Sequence, residues 1–537
     1  MKSRILSIIV GILLLCLVGG LGVGAAPKAQ RITWYIGAEV PLDPQHSWSV
    51  VTNTIGTHIM EGLVRVHDGK ILPGIAEKWE ISPDGKTYTF HLRDAKWSDG
   101  SPITAYDFEY GMVRLLDPKT AAEYAWAAYY IENAEEFNTG KLKDASKLGV
   151  KALDAKTFQV KLINPAPYYL GYLDFYFFYP AKREFVAKWG NAYGTEADKL
   201  LYNGPFILKE WKHEEELLLV KNPNYWNKGA IKLDEISIPI INNPATAFSM
   251  FENGELDIVN IPINLTPAYL AQGKAQLRYN GANDWIKLNH KSGPAIIRNK
   301  NFRKALNYGL DRETYINRAT KGVYDPATRY LLPVVSGISK KFVEEYPLEF
   351  YPKKGDMALA RQYLKKAMEE MKIKNASDIT LEFLIQDDPY TRLMAEALQD
   401  LYRQSLGINF TIKQVPYKQK LAQDTAFDYQ SVYQGWCPDY DDPMTYLELW
   451  ISSSTYNAGW SNKKYDELVD FARSTTDVKK RADAMFEAEK ILLAEAVFVP
   501  LQFRRDAWLC SDNLKGVVRG YIGTDPDLVY AYLDPAR

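Results

Sequence analysis

The sequence predicts an α/β protein built from two or three lobes, and three observations carry that reading. At 537 residues the chain is longer than one hydrophobic core usually organises. Its first half is dense in short strand signals, led by a Pro-Asp-Gly turn inside an alternating segment at 81–92 that reads as a hairpin. Its second half alternates helix and strand, with a βαβ unit at 379–415 whose crossover implies parallel strands.

Taken in order, the chain opens with Lys2 and Arg4, an apolar run at 5–18 and the small residues Gly22-Val23-Gly24-Ala25-Ala26. That order is a secretory signal peptide, assigned to residues 1–26. An uncleaved anchor is the rival, because 5–26 is nearly long enough to span a bilayer. Glycines in the distal half and the lack of a basic stop-transfer cluster favour cleavage. Leu15 before Cys16 is not the small residue that lipid attachment requires. Further strands are expected at 157–162, 217–221 and 235–241, and helices at 107–115 and 244–253. In the βαβ unit, strand 379–385 leads into helix 389–406, Gly407 stops the helix, and strand 408–415 follows. Helices at 463–473 and 478–494 and a strand at 497–503 complete the pattern. No internal repeat, low-complexity tract or long linker interrupts it.

Composition removes several function classes. The formal net charge of −1 becomes two units more negative when Lys2 and Arg4 leave with the signal peptide, so no polycationic surface points to nucleic acid. Only Cys437 and Cys510 survive cleavage, too few for a disulfide scaffold. The 6 histidines, at 46, 58, 67, 91, 213 and 290, form no H-x-x-x-H pair, and no Cys-His cluster occurs. There is no G-x-S-x-G elbow and no phosphate-binding P-loop. Asp439, Asp441 and Asp442 lack the glycine turn and distal glutamate of a calcium loop. Neither a metal nor a cofactor is expected. The compositional excess is aromatic, with 36 Tyr and 13 Trp, which suits a ligand cleft lined by amphipathic rings as well as an ordinary core.

The most informative stretch is Gly435-Trp436-Cys437-Pro438-Asp439-Tyr440-Asp441-Asp442-Pro443, which follows an extended-looking segment at 427–434. A carboxylate among apolar rings is costly to ionise unless a cation meets it, so Asp439 between Trp436 and Tyr440 reads as a seat for a ligand's positive charge. The competing reading is an acidic loop that caps a helix beginning near Pro443.

Several further segments share an order with one family. Leu42-Asp43-Pro44 is followed by Met60-Glu61-Gly62-Leu63, Pro73-Gly74-Ile75-Ala76-Glu77-Lys78-Trp79 and Ala95-Lys96-Trp97-Ser98-Asp99-Gly100-Ser101-Pro102-Ile103-Thr104. Asn203-Gly204-Pro205-Phe206, Lys221-Asn222-Pro223-Asn224-Tyr225-Trp226 and Phe302-Arg303-Lys304-Ala305-Leu306-Asn307-Tyr308-Gly309 come next, and the 435–443 run closes the series. Together they resemble the extracellular solute-binding proteins of peptide and oligopeptide ABC importers.

The resemblance implies a two-lobed periplasmic-binding-protein-like fold of type II, with an additional subdomain on the first lobe, that closes around its ligand. Mapped onto this chain, the N-terminal lobe is 27–60 with 181–280 and 505–537, the extra subdomain is 61–180, and the C-terminal lobe is 281–504. The implied protein is not an enzyme. It is a monomer, in the periplasm or at the cell surface, that hands an oligopeptide to a membrane permease whose ATPase lies on separate chains. By the same resemblance Asp439 meets the peptide's α-ammonium, and Gly435, Trp436 and Cys437 pair with its backbone. Tyr124 and Tyr417 match pocket aromatics, and Trp48 and Val50 line the cleft from the first lobe. Two departures stand out. Tyr433 occupies the place of a basic residue that helps bind the ligand's carboxylate, with Lys321 as a substitute. Ala282 lies near the place of a partner cysteine, which leaves Cys437 a free, buried thiol unless Cys510 comes near. The lost basic residue and the aromatic excess keep an oligosaccharide or other polar oligomer open as an alternative ligand. A secreted hydrolase is the third reading, supported only by export and abundant carboxylates.

Overall fold

A computed structural model describes residues 29–534 apart from Trp48 and Thr455, so the expected signal peptide and Trp48 lie outside the described residues. Among those residues no helix is long and apolar enough to cross a membrane. The first sheet orders Arg31–Thr33, Glu235–Pro239, Glu216–Lys221 and Phe206–Lys212, the first pair parallel and the others antiparallel. Its strands alternate as their sequence does, with Leu217, Leu219, Ile236 and Ile238 buried between half-exposed neighbours.

The predicted hairpin joins Ala76–Ile81 to Thr87–Leu92 through Gly85, whose φ of 70° suits glycine. Tyr88, Phe90 and Leu92 alternate inward, and Thr157–Lys161 and Val150–Ala152 extend this second sheet to four strands. Helix Ala105–Leu116 packs against it through Phe108, Met112 and Leu115. The Asp107 carboxylate accepts the Thr104 N–H at 2.8 Å and fixes where that helix starts.

The third sheet has seven strands. Ile258–Asn260, Phe498–Cys510, Gln276–Leu288, Ser431–Trp436, Thr380–Gln386 and Asn409–Val415 lie side by side, and Asp325–Pro326 also pairs with the second of these. The βαβ unit is as predicted: Thr380–Gln386 and Asn409–Val415 are parallel in register over their full length, bridged by helix Pro389–Leu406. Gly407, at φ 70°, takes the left-handed position that ends this helix. Two elements differ from expectation. The extended segment predicted at 427–434 is the strand Ser431–Trp436, because Phe427, at φ 56°, still belongs to the terminus of helix Tyr417–Thr425. The final strand runs well past Phe503, because Arg504, Arg505 and Asp506 are held in it by side-chain partners on neighbouring segments.

The two 13-residue strands, Gln276–Leu288 and Phe498–Cys510, run antiparallel across the middle of the molecule, with register shifts between Tyr279 and Asn283 and again between Asp284 and Trp285. Gly281 sits at the first shift with φ 86°. A Cβ there would come within 2.1 Å of the Tyr521 carbonyl oxygen, so only glycine lets the 518–524 segment close down on the strand.

Helix Val50–Ile59 is short and unusually polar for its burial, with Thr52, Asn53, Thr54, Thr57 and His58 all enclosed. Those groups tie it to the C-terminal segment. The Thr57 and Thr524 hydroxyls lie 2.8 Å apart, Thr54 Oγ1 accepts the Asp525 N–H, and His58 Nε2 accepts the Leu528 N–H at 3.0 Å. Burial keeps the His58 imidazole neutral by lowering its pKa, which leaves Nε2 free to accept.

Candidate functional site

The site begins at an incomplete sheet edge. Ser431–Trp436 pairs along its whole length with Gln276–Leu288, but on the other side it meets Thr380–Gln386 only at Ser431 and Val432. Among the described residues no strand lies beside that edge from Tyr433 to Trp436, so it can take an extended chain, although the Gly435 carbonyl already accepts the Tyr456 hydroxyl at 3.3 Å. No side chain fits at position 435: a Cβ there would lie 2.3 Å from the Asp284 carboxylate. The Trp436 ring meets Tyr456 edge-on at 5.5 Å, and its indole N–H donates to Thr445 Oγ1 at 3.3 Å. The same hydroxyl accepts the Asp439 main-chain N–H at 3.1 Å, which fixes the bend that carries the chain from the strand to the acid.

That bend delivers Asp439 into a pocket of about 220 Å³. Val50 and Asn53 come from the first turns of helix Val50–Ile59, Tyr124 precedes the short turn Ala125–Ala128, Phe177 lies in the turn Tyr176–Phe178, and Cys437 and Asp439 follow the strand's end. The loop 520–523 closes the remaining side. Asp439 pairs with no cationic side chain among the described residues. Its pKa is pushed up to about 8, first by burial and then by the negative charge of Glu448. Glu448 is itself occupied, accepting the Tyr130 hydroxyl at 2.7 Å, the Tyr440 hydroxyl at 2.6 Å and the Arg473 guanidinium at 2.9 Å. Burial also raises the Tyr124 phenol, with Asp439 the next cause. A larger cavity of about 620 Å³ adjoins this pocket and shares Phe175 and 520–523 with it.

The structure thus brings Val50, Tyr124, Cys437 and Asp439 into one pocket, with Gly435 and Trp436 on the strand that leads to it. Tyr417 is the first residue of helix Tyr417–Thr425. It is 55% exposed and outside the pocket lining, though within electrostatic reach of Tyr124. Tyr433 is a correction. Side chains alternate along the strand, and its ring turns under the sheet into the apolar cluster around Met394, where its hydroxyl donates to Asp284 Oδ2 at 2.7 Å. Arg504 reaches the same Asp284 from the next strand but one, Nε to Oδ2 at 2.8 Å and Nη2 to Oδ1 at 2.6 Å, and its Nη2 lies beside Gly435. Lys321 caps helix Arg312–Thr320 and is exposed. Cys437 and Cys510 are both free, but Cys437 is exposed where a buried thiol was expected, because it forms part of the pocket wall.

Asn53, Thr445, Phe177 and the 520–523 loop were missed by sequence reasoning. They come from four distant segments, and the single local signal was the run of polar residues in the helix that carries Asn53.

Residues 70–458 match the bacterial extracellular solute-binding proteins, family 5 middle. The oligopeptide-binding protein OppA of Bacillus subtilis is 34% identical over 488 residues, covering 89% of this chain and 88% of its own. The substrate-binding domain of an oligopeptide ABC transporter from Bacillus anthracis superposes with a TM-score of 0.80 at 35% identity, covering 94% of this chain and 99% of its own. Listeria monocytogenes OppA bound to peptide gives 0.79 at 29% identity, covering 94% and 99%. The fold is therefore the two-lobed α/β architecture of these binding proteins, and the chain belongs to the bacterial extracellular solute-binding proteins of family 5.

Proposed function

We propose that this protein captures oligopeptides between its lobes and delivers them to an ABC permease in the membrane. One observation carries the reading: Asp439 is an enclosed carboxyl group without a cation, at the end of a sheet edge without a partner strand. A peptide supplies both missing parts at once, an α-ammonium for the acid and an extended backbone for the edge. Bacillus subtilis OppA is an oligopeptide-binding protein and Listeria monocytogenes OppA is solved with peptide bound, which favours peptide over oligosaccharide or a hydrolytic substrate.

In this reading the first lobe is 27–60 with 181–280 and 505–537, the extra subdomain 61–180 and the second lobe 281–504. Both crossings at 280 and 504 then lie in the two long central strands. Gly435, Trp436 and Cys437 run beside the peptide, and Val50 and Tyr124 cover its first residue. Position 433 offers no positive charge, and Arg504 beside Gly435 is already paired with the Asp284 carboxylate. The protein binds without turnover, acts as a monomer and works outside the cytoplasmic membrane. Mass spectrometry of the cargo released by denaturing purified protein tests the substrate class. Peptides are expected; glycans, or empty protein that binds glycans in titration, would replace this reading with the sugar one.

A further inference from the structure

The pocket beside Asp439 holds a second polar group that no atom of the described residues satisfies. Asn53 is 2% exposed, and the direction of its carboxamide is fixed: Oδ1 accepts the Tyr176 main-chain N–H at 2.8 Å. A backbone N–H can only donate, so the flipped amide is excluded and Nδ2 is the atom left over. Nδ2 is buried and has no hydrogen-bond partner among the described residues. An unpaired buried donor costs about 1–3 kcal/mol, and folded proteins carry few of them.

Asn53 and Asp439 line the same pocket of about 220 Å³ from opposite sides, one on helix Val50–Ile59 and the other beyond strand Ser431–Trp436. Gly523, at φ 72°, faces the amide. A Cβ there would stand 3.8 Å from Nδ2, so the glycine keeps side-chain atoms out of that space. The pocket therefore offers one acid that lacks a cation and one neutral donor that lacks an acceptor. A single aminoacyl residue carries the matching pair, an α-ammonium and a carbonyl oxygen, joined through one Cα.

Building on the peptide reading, we propose that Asn53 donates a hydrogen bond to the first carbonyl oxygen of the bound peptide. The site then reads an N-terminal aminoacyl unit and discriminates against a bare amine. Asn53 is a specificity-determining residue in this role, and Asp439 remains the charge partner.

The test is a titration cycle between protein and ligand. The probes are a pool of alanine peptides three to six residues long and the same pool with sulfur replacing the first carbonyl oxygen, a weaker acceptor. Asn53→Asp keeps an oxygen for the Tyr176 N–H and has no donor once ionised, while Asn53→Ala removes both groups at any pH. For the wild type, sulfur should weaken binding about three- to tenfold, the worth of one hydrogen bond. In either folded variant sulfur should make little difference. A sulfur effect that persists undiminished in Asn53→Ala, or is absent in the wild type, overturns the role of Asn53 while leaving peptide binding intact. A wild type that binds neither pool, including after removal of cargo, overturns the peptide reading and this inference together.

Discussion

Asp439 and Asp442 lie three residues apart, both are largely enclosed, and their surroundings are opposite. Asp442 is held by the Arg481 guanidinium through two hydrogen bonds, at 2.6 and 2.9 Å, and accepts the Met444 N–H at 2.9 Å at the start of helix Met444–Leu447. Asp439 has no such partner, and a second acid raises its pKa further. Asp441, between them, is exposed and holds Ser336 through its N–H and hydroxyl. The difference separates fold from function. A buried acid whose charge the chain neutralises is part of the scaffold, and one whose charge the chain leaves open is a candidate partner for a ligand's cation.

Breaking the paired acid should give the largest effect. Asp442→Ala leaves Arg481 buried and alone, so urea denaturation should show a loss of about 3–5 kcal/mol. Peptide affinity of the folded fraction should change little. An unchanged midpoint would mean that the pair is not structural.

Removing the unpaired acid should have the converse signature, lost affinity without lost stability. The sign of its pH dependence follows from the raised pKa. The ligand-free fold gains from this group below the ordinary Asp range near pH 4, and that gain fades as pH rises through about 8. Asp439→Asn should therefore flatten the stability profile between those limits.

The same shift couples peptide binding to protons. Below pH 8 the free carboxyl is mostly protonated, and an arriving ammonium must expel that proton, so affinity should fall up to about tenfold per pH unit on the acid side. Above pH 8 the peptide's own amine loses its charge, which places the optimum near pH 8. Calorimetry in buffers of different ionisation enthalpy should show proton release at pH 6–7. No release there would place Asp439 away from the ammonium.

Smaller effects sharpen the geometry. Thr445→Val removes the acceptor shared by the Trp436 indole and the Asp439 N–H, and should weaken peptide binding by about 0.5–1.5 kcal/mol through the loosened bend. Cys437 is exposed on the pocket wall, but the protein around its sulfur displaces enough water to raise the thiol pKa. Its alkylation should be slow at neutral pH and slower still with peptide bound. Equal rates with and without peptide would place the ligand elsewhere.

The βαβ unit was legible because its helix has a full amphipathic period and Gly407 marks its end. The enclosed acid at Asp439 was legible because aromatic rings flank it within one short run. Tyr433 misled because motif position gives no side-chain direction, and alternation turns it under the sheet toward Asp284. The strand through Arg504–Asp506 was hidden because its charged side chains are satisfied by partners more than a hundred residues away. Asn53 was invisible for the same reason: its loneliness exists only once Tyr176 has taken its oxygen.

The central claim is that Asp439 is the counter-charge of a peptide's amino terminus. Calorimetry of wild type and Asp439→Asn against a peptide and its N-acetylated form tests it most directly. The account predicts that acetylation and the substitution each weaken binding by about 2–5 kcal/mol and that the two losses do not add. Equal binding of the free and acetylated peptides by the wild type would contradict it.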